Sequence, residues 1–383
     1  MRINQTNFLA VAQALAADFA GRANEADRVG RLPAEDVAAL KESGYLSLTV
    51  PQRFGGLELP MRACLEAQLE VALGSASTAI VAGMPIHIFG AARECNPWSE
   101  EAFERLGRAT VNGALVNSVA SEPALGSPSR GGLPDTNAVP TPDGEGWLIN
   151  GLKTWTTGGK HITHMLVKLR IEDDPAVILV RQDTPGVAWI ETWSDSLSLR
   201  ASDSHDVRFN NVVVPVDHLL QRGRSKTAQP PNGWFPMIMS SVYLGAALAA
   251  RNAVIKFALE RVPTSLGKPI ATLPKIQRQI GEIDLALQAA KALLFEVADR
   301  WDSDTGTRQK AYPGVVAAKY QIIEAAAFAT DQALRVAGGT SITKTLPLER
   351  HFRDVRAGSM QPPSGDTALE IIGRNAIDQQ AIA

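Results

Sequence analysis

The sequence predicts an α+β fold in three parts: a helical N-terminal domain, a middle β domain and a helical bundle at the end. Three observations lead to this prediction. Apolar residues recur at helical spacing in the first third, short alternating runs fill the middle, and long helical segments fill the last third. A chain of 383 residues also exceeds the size of one compact core. We predict domains over residues 1–113, 114–222 and 223–383.

The first part is predicted to be helical from residue spacing and from signals at helix ends. The apolar positions of the first helix recur every three or four residues: Phe8, Val11, Leu15 and Phe19. This spacing favours an amphipathic helix over the core of a signal peptide. Pro33 precedes a second helix that Gly44 is expected to end. Two further periodic segments cover Met61 to Leu73 and Ser75 to Ala92.

The middle part is predicted to be a small antiparallel barrel or sandwich. Its alternating runs are Leu115 to Val119, Trp147 to Asn150, His164 to Leu169, Ala176 to Val180 and Val207 to Phe209. A polar connector with two prolines, Gln221 to Gly233, separates it from the last part. The long helices after it predict a four-helix bundle: Phe235 to Arg261, Ile276 to Arg300, Val315 to Ala337 and a last one from about Asp366.

Composition excludes several classes of protein. A net charge of −2 gives no electrostatic case for binding nucleic acid or an anionic membrane. The apolar stretch from Ala76 to Ala91 is shorter than the ~20 residues that a membrane span needs. Cys64 and Cys95 lie far apart without a metal-binding pattern, which predicts a protein of the reducing cytoplasm.

The most informative motif runs from Asn150 to Gly159 and reads Asn-Gly-Leu-Lys-Thr-Trp-Thr-Thr-Gly-Gly. Its Asn-Gly pair, between two strand-like runs, predicts a hairpin turn. In the second strand, alternation would place Trp155 and Thr157 on one face. An indole beside a hydroxyl suits a flat ring with a polar edge better than it suits an apolar core.

Four segments in order resemble the acyl-CoA dehydrogenase family of flavoproteins. They are Val50-Pro51-Gln52-Arg53-Phe54-Gly55-Gly56, Ala120-Ser121-Glu122-Pro123-Ala124-Leu125-Gly126-Ser127, the Asn150 motif, and Gly338-Gly339 followed by Pro347-Leu348-Glu349-Arg350 and Arg353-Asp354. The resemblance covers nearly the whole chain. It implies bound FAD, an acyl-CoA or other small-molecule substrate, an electron-transfer partner or a flavin reductase, and a homotetramer or homodimer.

The resemblance also implies a set of flavin contacts. Thr157 would donate near N5 of the ring, Trp155 would pack on the ring, and the backbone of Ala120 and Ser121 would meet its pyrimidine edge. The expected contacts of the pyrophosphate and adenosine side, the latter shared with a neighbouring subunit, are Gly126, Ser127, Arg261, Arg335, Gly338 and Gly339. Arg335 stands where the family usually has Gln. The chain has no G-x-G-x-x-G motif, so a Rossmann nucleotide site is not predicted.

The catalytic carboxylate of the family has no counterpart in this chain. Counting from Arg353-Asp354, the glutamate position falls on Pro362, and the second known base position falls on Phe235. The remaining candidates are Asp366, Glu370 and His87. Asp366 is also typical of a helix first turn, and His87 of a core histidine with satisfied hydrogen bonds.

Three functions stay open from the sequence. The first is dehydrogenation of an acyl-CoA thioester in fatty acid metabolism, with an atypical or missing base. The second is a two-component flavin-dependent monooxygenase of the same fold, which needs no α-proton abstraction. It is favoured by Ser204-His205-Asp206 and by the lengthened 261–267 loop. The third is a non-catalytic protein that binds flavin or acyl-CoA.

Overall fold

The computed structural model describes residues 2–95, 97–126, 132–223, 231–303, 306 and 308–382. In the first part, the described residues form α1 (Phe8–Val29), α2 (Ala34–Ser43), α3 (Met61–Gly74), α4 (Ala76–Cys95) and α5 (Glu100–Val111). The first four confirm the predicted helices, and Gly44 ends α2 in the left-handed conformation at φ 79°. The prediction missed α5, although Ser99 accepts a hydrogen bond from the N–H of Ala102 as its N-cap.

The middle part is one mixed, mainly antiparallel sheet. Its strands are β1 (Val116–Val119), β2 (Asn137–Pro140), β3 (Gly146–Thr156), β4 (His164–Ile171), β5 (Asp174–Arg181), β6 (Val187–Ile190), β7 (His205–Pro215) and β8 (Leu219–Arg222). They follow the order β6-β7-β3-β2-β4-β5-β8, and β1 pairs with β4 in parallel. The prediction missed β2, β6 and β8, because four-residue strands with little buried surface carry no clear alternation.

The predicted Asn150-Gly151 hairpin is wrong. Both residues lie inside β3, which continues to Thr156 and pairs with β7 on either side of a bulge. A Cβ at Gly151, whose φ is 152°, would lie 2.3 Å from Oγ1 of Thr136. The Asn-Gly pair therefore marks a bulge with close backbone approach rather than a turn.

The last part is a bundle formed by α6 (Trp234–Glu260), α7 (Pro274–Ser303), α8 (Arg308–Ala337) and α10 (Gly365–Ile382), with the short α9 (Leu348–Asp354) beside it. These helices confirm the predicted bundle, and α9 was missed. By length and composition, α6 could cross a membrane, but 67% of its most apolar window is buried inside the protein. Such burial is expected for the core helix of a bundle.

Small residues bring α4 against α6. A Cβ on Gly90 would lie 2.3 Å from the Trp234 ring, and one on Gly83 would lie 2.9 Å from the side chain of Ile238. Gly83, His87 and Gly90 are spaced by four and three residues, so they share one face of α4. The close packing therefore holds His87 against the first turn of α6.

A buried carboxylate joins the bundle to the β domain. Oδ1 of Asp354 accepts a hydrogen bond from the N–H of Leu199 at 2.9 Å, and the carbonyl of Asp354 accepts one from Ser198 Oγ at 2.6 Å. Burial raises the pKa of Asp354 to about 6, although nearby Arg350 and the Leu199 hydrogen bond oppose that rise. These two hydrogen bonds fix the position of the segment that leads into β7.

The raised pKa of Asp354 predicts a pH-dependent stability. Because the folded pKa of about 6 exceeds the ordinary value of 3.8, the folded state holds this proton more tightly than the unfolded state. The contribution of Asp354 to the free energy of unfolding is present below pH 3.8 and is lost as the pH rises to about 6. Asp354→Asn keeps an acceptor oxygen and cannot ionise. Urea unfolding from pH 4 to pH 7 should show parent stability falling relative to the variant. A constant difference would contradict the assignment.

Candidate functional site

The site is built around an exposed indole in a strained backbone. Trp155 has a φ of 57° and is 63% exposed. Its N–H donates to Oδ1 of Asp206 at 3.4 Å, and its carbonyl accepts from the N–H of Thr157 at 3.1 Å. A left-handed conformation at a bulky residue is costly and typically marks a functional site. Exposure of a large apolar ring here points to a ligand.

The predicted reason for pairing Trp155 with Thr157 is wrong. Strand alternation is interrupted at Trp155 by its positive φ, and β3 ends at Thr156. Thr157 belongs to the turn that follows and is half-buried. The two residues are brought together by this turn and not by the periodicity of a strand.

A chain of hydroxyl groups begins at Thr157. Its Oγ1 lies 2.9 Å from Oγ of Ser204, which lies 2.8 Å from Oγ of Ser202. Both serines are buried, whereas Thr157 is at the open end. Asn117 Nδ2 donates to the Thr157 carbonyl at 2.8 Å, and the N–H of Gly158 donates to the Ser202 carbonyl at 2.9 Å. These bonds fix the position of the Thr157 hydroxyl.

Ser204, His205 and Asp206 do not form a catalytic triad. Nδ1 of His205 accepts hydrogen bonds from the N–H groups of Thr192 and Trp193. Asp206 accepts instead from the N–H of Trp155, and Ser204 joins the hydroxyl chain. The three side chains therefore serve different neighbours.

A buried ion pair fastens the 120–122 loop to β3. Nζ of Lys153 lies 2.6 Å from Oε1 of Glu122 and also donates to the Ala120 carbonyl at 3.3 Å. The Ser121 carbonyl accepts from the N–H of Thr154 at 2.9 Å. Ala120 and Ser121 are thus bonded to Lys153 and Thr154, the two residues before Trp155. Their contact with flavin stays a prediction.

The charges of the pair are compensated by further hydrogen bonds. Glu122 also accepts from the N–H groups of Asp135 and Thr136. Burial acts to raise the pKa of Glu122, but the bonds from Lys153 and Thr136 outweigh it and hold that pKa below its ordinary value. Burial lowers the pKa of Lys153, partly offset by Glu122. The carboxylate is thereby kept ionised beside its ammonium partner.

The predicted pyrophosphate contacts are described only in part. Gly126 has a φ of 67°, and, its chain neighbours aside, no atom of the described residues lies within 4 Å of the place where a Cβ would be. This leaves room for a ligand to approach the backbone. Ser127 lies outside the described residues.

The predicted adenosine-side residues lie at or just after the C-terminal ends of α6 and α8. Arg261 is exposed after the last turn of α6, and Arg335 is exposed and paired with Asp331 at 2.8 Å. Gly338, with a φ of 60°, and Gly339 are exposed in the turn after α8. Within the described parts of the chain, no hydrogen bond joins these residues to the Trp155 turn. Their role in binding stays a prediction.

A lysine stands beside the position of the family's glutamate. Pro362 lies in the loop before α10, and Nζ of Lys319 on α8 donates to the carbonyls of Gln361 at 3.0 Å and Pro363 at 2.9 Å. Burial lowers the pKa of Lys319 to about 8. Asp366 lies in the first turn of α10, as predicted for a helix start, and both it and Glu370 are exposed.

A histidine stands beside the second base position. The ring of His87 meets the ring of Phe235 edge to face, with centroids 5.0 Å apart. His87 is buried, and its Nδ1 has no hydrogen-bond partner in the described parts of the chain. Burial, with a smaller contribution from Lys168, lowers its pKa to about 3, so the ring is neutral. His87 is therefore a core histidine as expected, but the described residues provide no hydrogen bond to its Nδ1.

Sequence reasoning missed the residues that support the site. Lys153 inside a strand and Glu122 in a loop were each visible as charges, but only the fold pairs them. Lys319 lies in an otherwise apolar helix face, which was a usable signal. The contact of Ser202 with Ser204 depends on backbone conformations that the sequence does not specify.

The family's three domains all match this chain. The N-terminal domain of acyl-CoA dehydrogenases matches residues 4–96, the middle domain residues 118–212 and the C-terminal domain residues 237–361. The chain belongs to the acyl-CoA dehydrogenase family. It is 37% identical over 366 residues to YdbM of Bacillus subtilis (strain 168), covering 95% of each chain.

Relatives with different activities have similar sequence identities to this family member. The mitochondrial short-chain specific acyl-CoA dehydrogenase of Bos taurus is 28% identical, covering 87% of this chain and 80% of its own. The crystal structure of a nitrososynthase from Micromonospora carbonacea var. africana is 25% identical, with a TM-score of 0.84 and coverage of 97% and 96%. KijD3 in complex with FMN and a dTDP-sugar is 28% identical, with a TM-score of 0.84 and coverage of 97% and 93%.

Breaking the buried ion pair should destabilise this family member strongly. Lys153→Met leaves Glu122 buried without its cation, which typically costs about 3–5 kcal/mol. Denaturant unfolding should show the loss. The matched control is Arg28→Met, which removes an exposed pair with Glu25 and should leave the midpoint nearly unchanged. Equal, small effects of both substitutions would mean that the pair is not a structural clamp.

Proposed function

We propose that this chain is a flavin-dependent oxygenase of its family, one that takes reduced flavin and dioxygen. The observation that carries the proposal is the chemistry at the two base positions. Pro362 and Phe235 lack a carboxylate, and the titratable groups beside them are the nitrogens of Lys319 and His87. A reaction that removes an α-proton needs a base at that place, whereas oxygenation by reduced flavin does not.

The described residues fit a flavin ring. Trp155 offers an exposed aromatic face, Thr157 offers a hydroxyl in the turn two residues later, and the 120–121 backbone is bonded to Lys153 and Thr154 just before them. A bound reduced flavin would supply the electrons for the reaction. Thr157 would hold the ring by its N5 edge, and Trp155 would exclude water from one side of it. The test should use both FMN and FAD.

A substrate held at the second base position, beside Phe235, would meet one neutral polar group in His87. Its lowered pKa keeps the imidazole uncharged at neutral pH, so it can accept or donate one hydrogen bond. An unsatisfied nitrogen in a buried position is unusual, and a bound ligand or an ordered water would pair with it. A polar, uncharged substrate fits this environment better than a bare acyl chain.

A second candidate function is acyl-CoA dehydrogenation with a nitrogen base. It is favoured by the similarity to the short-chain dehydrogenase and by the position of Lys319, whose pKa of about 8 suits proton transfer. Against it, both donated protons of Lys319 that the structure shows go to loop carbonyls. That arrangement holds the loop and does not present a free lone pair.

Thr157→Val should weaken flavin binding. The substitution keeps the shape of the side chain and removes the hydroxyl, which leaves the ring edge unpaired and costs on the order of 1 kcal/mol, about fivefold in affinity. Fluorescence titration of FMN and FAD would measure the loss. Thr163→Val is the control, because its hydroxyl bonds only to groups outside the turn. Unchanged affinity in Thr157→Val would place the flavin elsewhere.

Stopped-flow absorbance separates the candidate functions. We expect the oxidised, flavin-loaded protein to stay coloured when mixed anaerobically with a panel of acyl-CoAs, because the missing base typically contributes about 10²–10⁴-fold. The reduced, loaded protein mixed with oxygen should show absorbance changes that free flavin lacks. Rapid bleaching by an acyl-CoA would establish the dehydrogenase instead. A protein that does neither would be a flavin binder without catalysis.

A further inference from the structure

Ser202 and Ser204 lie behind Thr157 with no part in the functions considered so far. The three hydroxyl groups form a continuous series of hydrogen bonds, here called the hydroxyl line, with oxygen–oxygen separations of 2.9 Å and 2.8 Å. Ser202 is 1% exposed and Ser204 is 4% exposed, so water does not replace either contact. The line starts in the interior and ends at the half-buried Thr157, beside the exposed indole.

The hydrogen bonds along a line of hydroxyl groups all point the same way, either toward the ligand or toward the interior. Each hydroxyl carries one proton and donates once, but its oxygen can also accept. When Thr157 donates outward to a ligand, it accepts from Ser204, which accepts from Ser202. When Thr157 accepts a hydrogen bond from a ligand, its own hydroxyl must donate to Ser204. The hydroxyl of Ser204 must then donate to Ser202. In both directions Thr157 and Ser204 each keep one donor and one acceptor partner, so the line can reverse without leaving an orphan between its two ends.

Resting on the proposed flavin site, we propose that Ser204 and Ser202 are positioning residues that let Thr157 serve both redox forms of the ring. The oxidised ring presents an acceptor at N5, and the two-electron reduced ring presents an N–H donor there. Thr157 alone meets the first requirement. Thr157 can accept a hydrogen bond from the N–H of the reduced ring only if its own hydroxyl donates to Ser204. Ser204 therefore stabilises bound reduced flavin more than bound oxidised flavin.

The strained backbone of this segment is consistent with such a role. Leu199 and Asp203 both have positive φ values, 53° and 45°. Asp354 holds Leu199 by its N–H, and the N–H of Leu32 donates to Oδ1 of Asp203 at 2.9 Å. Neighbouring elements thus hold the 199–203 segment in conformations that bring both serines onto one line with Thr157.

The test is a double-mutant cycle read by flavin affinity in both redox states. Ser204→Ala should weaken binding of reduced FMN or FAD by roughly fivefold or more, because Thr157 is left with an unpaired donor, and should weaken oxidised flavin less. Because the reduced form loses more affinity than the oxidised form, the midpoint potential of the bound flavin should fall. In a Thr157→Val background, Ser204→Ala should change nothing, since its effect passes through the missing hydroxyl.

Controls separate this inference from the function on which it rests. Ser196→Ala removes a loop hydrogen bond to the Ser198 carbonyl and should leave the affinity ratio of the two redox forms unchanged. If Thr157→Val binds both forms of flavin like the parent, the flavin site itself is overturned. If Thr157→Val weakens binding but Ser204→Ala acts additively or equally on both redox forms, only the hydroxyl line is overturned.

Discussion

The candidate site depends on the buried ion pair between Lys153 and Glu122. Removing two charges from water is expensive, and the pair persists because other groups complete its hydrogen bonds. Lys153 also reaches the Ala120 carbonyl, and Glu122 caps the N–H groups of Asp135 and Thr136. One carboxylate thus holds the chain before and after Gly126. With that loop fixed, the end of β3 can hold Trp155 in a strained and exposed conformation.

A second constraint reaches the same turn from the bundle. Asp354 at the end of α9 binds the backbone of Leu199, and the segment from Leu199 leads directly to Ser202 and Ser204. The β domain and the bundle therefore both determine where the Thr157 hydroxyl lies. The same bundle carries Lys319 and, through the α4–α6 contact, the His87–Phe235 pair. These buried hydrogen bonds and ring contacts bring together residues that are far apart in sequence.

The sequence predicts the long elements and the family well, because helices of 20 to 30 residues and ordered motifs leave clear patterns. It fails where the local backbone departs from ideal geometry. Gly151 reads as a hairpin and is a bulge, and Trp155 reads as a strand residue and is left-handed. His87 was a candidate from the sequence and Lys319 left a signal there, but their positions beside Phe235 and Pro362 depend on packing between helices. On the proposed function, nitrogen groups in place of a carboxylate favour oxygenation over removal of an α-proton.

The proposed function requires that the exposed face of Trp155 is the surface on which a flavin ring lies. Oxidative footprinting with mass spectrometry measures the accessibility of each tryptophan in the presence and absence of saturating flavin. We predict that Trp155, which is 63% exposed without ligand, becomes strongly protected when FMN or FAD binds. The half-buried Trp98, which packs on Phe103 in the first part of the chain, should keep its reactivity. Bound flavin that leaves the oxidation of Trp155 unchanged would contradict the claim.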